Sequence, residues 1–306
     1  MTDLRHALDS YLALRRALGF KLQRTEYELR KFVRFVRSQP SPFLTTSTAL
    51  QWATQSSSAS LQTWAKLLCM VRGFAKYLHG LDARHEVPPE DAIPYHKNRR
   101  HPYIYSDEDV AALIGQARSI RFSLVAASYS TLFGLLAVTG MRLGEALALD
   151  RIDVDWNTGL LLIRNSKFNK TRQLPLHRTT LDALHKYDRL RGQLFPPSTI
   201  PSFFVSLAGT RIVEQNVHMT FVRLIRRNGL FEKTPRPRVH DLRHSFAVKT
   251  IRHWYETGLE VEPRLPALST YLGHVSPSST YWYMTATPEL MLLAAKRLAR
   301  SLGKPS

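Results

Sequence analysis

IDVDWNTGLLLIRNSKFNKTRQLPLHR, residues Ile152–Arg178, is the stretch that decides the fold class. It alternates apolar and polar residues around two turns, NTG and KFN. A period of two broken by turn residues specifies a small antiparallel meander. Phe203–Ser206 adds a short extended piece. Around these segments the apolar residues recur at helical spacing instead. Gln215–Arg227, His240–Thr257 and Pro288–Leu302 read as helices, and LVAASYSTLFGLLAVTG (Leu124–Gly140) reads as a buried one. The expected fold is therefore mainly α with a small antiparallel sheet, an α+β arrangement.

Upstream, the chain reads as a separate helical region. Leu29, Phe32, Val33 and Val36 share one helical face, and Arg30, Arg34 and Arg37 lie opposite. A second helix runs through LQTWAKLLCMVRGFAKYLHG, with Trp64, Leu67, Leu68, Val71, Ala75 and Leu78 as its buried stripe and Cys69 read as core. A short helix is expected around Thr48–Thr54. EVPPEDAIPYHKNRRHPYIYS (Glu86–Ser106) lacks apolar periodicity and carries four prolines and a basic cluster. Ser106 and Asp109 then form a capping-box pattern that opens the next helix. The expected organisation is a helical domain over 1–90, a linker over 91–105 and a second domain over 106–306.

The net charge of +19, from 43 Lys+Arg against 24 Asp+Glu, suits a polyanionic partner, with nucleic acid first. Residues 1–94 hold 13 basic and 8 acidic residues, so most of the excess lies downstream. Arg30, Arg34, Arg37, Lys97, Arg99, Arg100, Lys170 and Arg172 are the DNA-binding candidates. The single cysteine excludes an intrachain disulfide and a cysteine-rich zinc site. The charged N-terminus lacks a signal-peptide core, and no segment suits a membrane span. A soluble, cytoplasmic protein is expected.

Four separated pieces carry chemistry: TGMRLGEALAL, NSKFNKTRQLPL, HDLRHSFA and YLGHVSPSSTYWYM. Each is weak alone. Arg142 has Glu145 one turn on as an ion-pair partner, and Lys167 at a hairpin tip is ordinarily just solvated. His240 and His244 lie four apart on one helix face, the spacing of a two-histidine metal site. The zinc helix motif, however, needs glutamate after its first histidine, where this chain has Asp241.

Taken together, the pieces resemble the tyrosine recombinase (phage integrase) family. Thr139-Gly140-Met141-Arg142-Leu143-Gly144-Glu145 is similar to its first box. SKFNKTRQLP is similar to its hairpin-lysine box, with Ser166 and Phe168 where glycines are usual and Lys170 as the fallback lysine. His240-Asp241-Leu242-Arg243-His244 and the LGH of His274 follow in order, with Tyr283 nine residues later. The wording TYWYMTATPELM resembles mobile-element recombinases encoded in tandem.

The resemblance implies a SAM-like core-binding domain before a catalytic domain. It also implies strand cleavage and rejoining through a 3′-phosphotyrosine, on double-stranded DNA, without cofactor or metal. Arg142 and Arg243 would clamp the phosphate, and His274 would donate to it. His240 would take or relay the proton of Tyr283, and Lys167 would protonate the leaving oxygen. Glu145 and Asp241 would support. Two to four copies on DNA, with related recombinases beside them, are the implied assembly, and the C-terminal helix would dock on a neighbour. A catalytically silent DNA-binding subunit and a type IB topoisomerase are the competing readings, and Tyr281 is the alternative nucleophile.

Overall fold

The computed structural model describes residues 3–95, 100–164, 171–195, 200–285 and 287–301. It divides into two compact units, Met1–Arg99 and Arg100–Ser306.

The first unit is helical: α1 (Leu4–Ala17), α2 (Gln23–Arg37), α3 (Thr46–Ala53) and α4 (Leu61–Leu81). Side chains of Asp3, Thr45 and Ser60 accept from free backbone amides at the starts of α1, α3 and α4. The apolar stripe of α2 is buried as its spacing requires, against Leu8, Leu12, Trp52 and Phe74. Arg30, Arg34 and Arg37 are exposed. Arg30 is bonded to Glu26 and Asp9, so part of its charge is already neutralised. Cys69 is a correction. It is exposed, because Leu68, Val71, Ala75 and Leu78 define the buried line of α4 and Cys69 falls beside it. The segment after α4 folds back: Arg72 donates to the carbonyls of Pro88 and Pro89, and Ile93 is buried.

The second unit begins before its first helix. The ring of Tyr105 is buried and its hydroxyl donates to the Arg238 carbonyl at 3.1 Å. Then come α5 (Asp107–Arg118), α6 (Ser123–Thr139) and α7 (Leu143–Ala148). The Ser106–Asp109 capping box is present at the start of α5. Most of α6 is buried, and α5, α8 (Arg178–Leu194) and α10 (Asp241–Glu256) pack around it. This is how a helix apolar on every side becomes stable in water.

The meander is β1 (Val154–Asp155), β2 (Leu160–Ile163) and β3 (Arg172–Pro175), antiparallel in the order β1-β2-β3. Leu161 lies opposite Leu174, and both are buried. The KFN turn lies outside the described residues. Residues 202 and 205 form only isolated bridges, to Asp150 and Arg211, so Phe203–Ser206 is not a strand of this sheet. The remaining helices are α9 (Glu214–Arg227), α11 (Leu265–Leu272), α12 (Ser278–Tyr281) and α13 (Pro288–Ser301). A second core cluster joins α10, α11 and α13 around Ile251, Leu268, Leu272, Tyr283 and Leu290. Leu290 fixes α13 to this cluster, whereas Leu298 is exposed. Among the described residues, no helix is long and apolar enough to cross a membrane.

α6 stops at Gly140, whose φ of 60° is left-handed, the usual helix-ending conformation for glycine. A Cβ there would lie 2.5 Å from Cδ1 of Phe246 on α10. Gly140→Ala therefore combines backbone strain with overpacking. It should lower unfolding stability by about 2–4 kcal/mol, readable as a lower urea midpoint with an unchanged slope.

Candidate active site

The site is assembled where α6 and α11 end. A helix C-terminus exposes carbonyl oxygens without intrahelical partners and carries the negative end of the helix dipole, so it holds cations well. Arg243, on the first turn of α10, donates through one guanidinium nitrogen to the carbonyl of Gly140 at 2.8 Å. Through the other it donates to that of Leu272 at 2.7 Å. Arg142, immediately before α7, donates to the Gly273 carbonyl at 2.7 Å. Gly273 is left-handed, at φ 68°, and a Cβ there would lie 2.9 Å from the Arg172 guanidinium. Glycine thus lets the chain pass close beneath two cations.

Glu145 is the counter-ion. It is 8% exposed and accepts from the Arg142 backbone amide and guanidinium, at 2.9 and 2.7 Å. Arg172 adds a two-pronged contact at 3.1 and 2.7 Å, and its Nε donates to the Tyr271 carbonyl. Burial pushes the Glu145 carboxyl up, but the Arg172 and Arg142 hydrogen bonds outweigh it and hold it below the ordinary glutamate value. Arg172 corrects an expectation. With its side chain 10% exposed and Nε and both terminal nitrogens donating to Tyr271 and Glu145, it is turned into the protein and serves to fix the site.

Arg243 is 3% exposed, and burial with the nearby Arg142 charge brings its guanidinium down to about 10. At pH 7 it stays charged. Three guanidiniums against one carboxylate leave the pocket positive, ready for an anion.

His240 and His244 stand one turn apart, with rings 4.8 Å apart and edge to face. The hydroxyl of Tyr283 is 3.2 Å from Nδ1 of His244, so the histidine on the nucleophile candidate is His244, not His240. In the sequence, the spacing of His244 from His240 suggests only a metal ligand. Its signal was the HDLRH spacing itself. Nδ1 of His274 pairs with the buried Thr280 hydroxyl at 2.7 Å, which fixes the ring. Burial and the cationic neighbourhood lower His244 to about 3 and His274 to about 4. His240 is exposed, so solvent screens much of the downward pull of crowding protein, Arg243 and Arg142. His244 and His274 are neutral at pH 7.

Tyr283 is 2% exposed in the 3-10 turn Trp282–Thr285, whereas Tyr281 is 49% exposed. Asp241 is buried and accepts from the Arg238 amide at 2.9 Å, and burial pushes its carboxyl up to about 6. It shapes the start of α10. Lys97, Arg99, Lys167 and Lys170 lie outside the described residues, and Arg100 is exposed. Among the described residues, no group of three His, Cys, Asp or Glu side chains could hold a metal ion.

Glu145→Ala would leave two arginines without their carboxylate, a change that costs about 3–5 kcal/mol. A depressed carboxyl stabilises fully above its unfolded value and loses the effect as pH falls through the folded one. The stability gap between wild type and Glu145→Ala, measured by urea unfolding, should therefore be full at pH 7 and shrink below about pH 4.

Comparison with known proteins converges with this geometry. A profile of the phage integrase family matches residues 105–289. A Sinorhizobium fredii protein named as an integrase/recombinase, y4rB, is 42% identical over 308 residues, covering 98% of each chain. Tyrosine recombinase XerC of Alcanivorax borkumensis is 29% identical over 222 residues, 72% of this chain and 68% of that one. The fold is like that of the Tn1549 transposon integrase, solved in complex with circular intermediate DNA. Its TM-score is 0.67 at 16% identity, over 96% of this chain and 99% of that one.

Proposed function

We propose a mechanism from one premise: this chain belongs to the phage integrase family and is a site-specific tyrosine recombinase acting on DNA. The proposal is that Tyr283 attacks a backbone phosphate, forming a 3′-phosphotyrosine and releasing a 5′-hydroxyl, which a second strand's 5′-hydroxyl then reverses. The bond energy stays in the covalent intermediate, so no nucleotide cofactor is needed.

The observation that carries this reading is the pair Arg142 and Arg243, held by helix-terminal carbonyls, with Tyr283 near enough to Arg243 to interact with its charge. A pentacoordinate phosphorus gathers negative charge on its non-bridging oxygens, and prepositioned guanidiniums stabilise that charge most where it develops. His274, with Nδ1 engaged, donates through Nε2, and His240 faces the same phosphate. Lys167 protonates the leaving oxygen, which otherwise departs as a strongly basic alkoxide. Glu145, Arg172 and Asp241 hold this geometry.

Tyr283 is 2% exposed, so the residues that cover it move aside when DNA enters, while its hydroxyl stays on His244. The first unit, with Arg34 and Arg37 exposed, binds duplex backbone together with Arg100. Recombination cuts two duplexes at two strands each, which favours an assembly of copies on DNA, with companion recombinases where they are encoded. Exposed Met291, Leu292 and Leu298 on α13 offer a subunit contact. Such a protein works on the DNA of the bacterial cytoplasm.

A duplex enriched from a random-sequence library by binding to the Tyr283→Phe protein, then nicked to trap the intermediate, tests the reading. Wild type should form a covalent adduct and Tyr283→Phe none. Arg142→Ala and Arg243→Ala should each slow the adduct by about 10²–10³-fold. A wild type that binds this duplex but forms no adduct contradicts the mechanism and leaves an accessory DNA-binding role.

A further inference from the structure

We propose that His244 is a catalytic residue, accepting the proton of the Tyr283 hydroxyl as the tyrosine attacks. The inference rests on the mechanism above and adds the nucleophile's proton acceptor to it.

The contact is specific. Nδ1 of His244 is 3.2 Å from Tyr283 Oη, and the rings meet at 60° with centroids 5.5 Å apart. Both side chains are held from behind. Tyr283 belongs to the apolar cluster of α10, α11 and α13. His244 is fixed on α10 between the rings of His240 and Trp282, at 4.8 and 5.4 Å. His274 also faces Tyr283, its ring 6.0 Å away and nearly parallel, but its Nδ1 is taken by Thr280. Among the described contacts, His244 places a ring nitrogen on the hydroxyl.

An acceptor must be unprotonated, and the lowered value of His244 keeps it so throughout the neutral range. Burial is the first cause of that lowering, and the charges of His240, Arg243, His274 and Arg238 are the rest. An incoming phosphodiester brings negative charge beside Arg243. That offsets part of the positive field and makes His244 more basic when the proton has to move. The step balances. The Oη–H bond of Tyr283 breaks and its proton passes to Nδ1. Oη bonds to phosphorus, the bond from phosphorus to the 5′-oxygen breaks, and that oxygen takes a proton from Lys167. On rejoining, His244 returns its proton to the departing phenolate.

Full-length His244→Ala and His244→Asn proteins test this on the nicked duplex selected above. Asn carries an acceptor oxygen close to the position of Nδ1. Adduct formation at pH 7 should fall at least about 100-fold for His244→Ala and equally for His244→Asn, whose amide can accept a hydrogen bond but not a proton, so restoration by Asn overturns the proposal. The second substrate is the same duplex ending in a 3′-p-nitrophenyl phosphate, joined to a 5′-hydroxyl strand in the Tyr283→Phe background. p-Nitrophenolate leaves without a proton, and the tyrosine hydroxyl is absent. Adding His244→Ala should therefore change the joining rate less than about threefold.

Equal loss in both reactions overturns the proposal, since the histidine would then be supporting the phosphate clamp or the fold. Wild-type adduct rates in His244→Ala overturn it as well. A wild-type protein that binds the duplex without any adduct removes the parent mechanism, whereas an indifferent His244→Ala beside an active wild type removes only this assignment.

Discussion

The hydrogen bonds from Arg142 and Arg243 to the carbonyls at the ends of α6 and α11 hold the site together. Buried guanidiniums beside one another repel, and each loses hydration. The ends of two helices meet that cost with aligned carbonyl dipoles and unpaired acceptors. Two left-handed glycines end those helices, and at Gly273 the lack of a Cβ also leaves room for the cations. Glu145 then ties Arg142 to Arg172, and Arg172 ties the start of β3 to α11. Residues far apart in the chain are thereby locked into one rigid floor whose charge stays positive.

That floor governs the rest of the pocket. Burial and its positive field keep His244 and His274 neutral at pH 7, so both can accept or share a proton. The neighbouring helical cluster holds the ring of Tyr283 while its hydroxyl rests on His244. In this state the tyrosine is shielded from solvent, and Arg142, Arg172 and Arg243 each donate to protein oxygens.

Much of this was legible in the residues. The two-residue period at Ile152–Arg178 identified the meander, because alternation survives any surroundings that keep one face buried. Helical spacing placed α2 and α6. The motif boxes brought Arg142, Arg243, His274 and Tyr283 together, since their order is carried by the chain itself. Other features depend on three-dimensional placement. Arg172 looked like a DNA contact because its type and position in a basic hairpin say nothing about which way the side chain turns. Cys69 looked like core because one residue's shift around a helix changes its face without changing its neighbours. His244 sat inside a recognised box, but only the fold brings a tyrosine 39 positions later onto its ring nitrogen.

The central claim is that the Arg142–Arg243 floor and Tyr283 form one active site that makes a covalent bond to DNA. Mass spectrometry of peptides from the protein trapped on its nicked duplex tests it most directly. The account predicts a nucleotide joined through a 3′-phosphate to Tyr283. A nucleotide on Tyr281, or on any other residue, would contradict it.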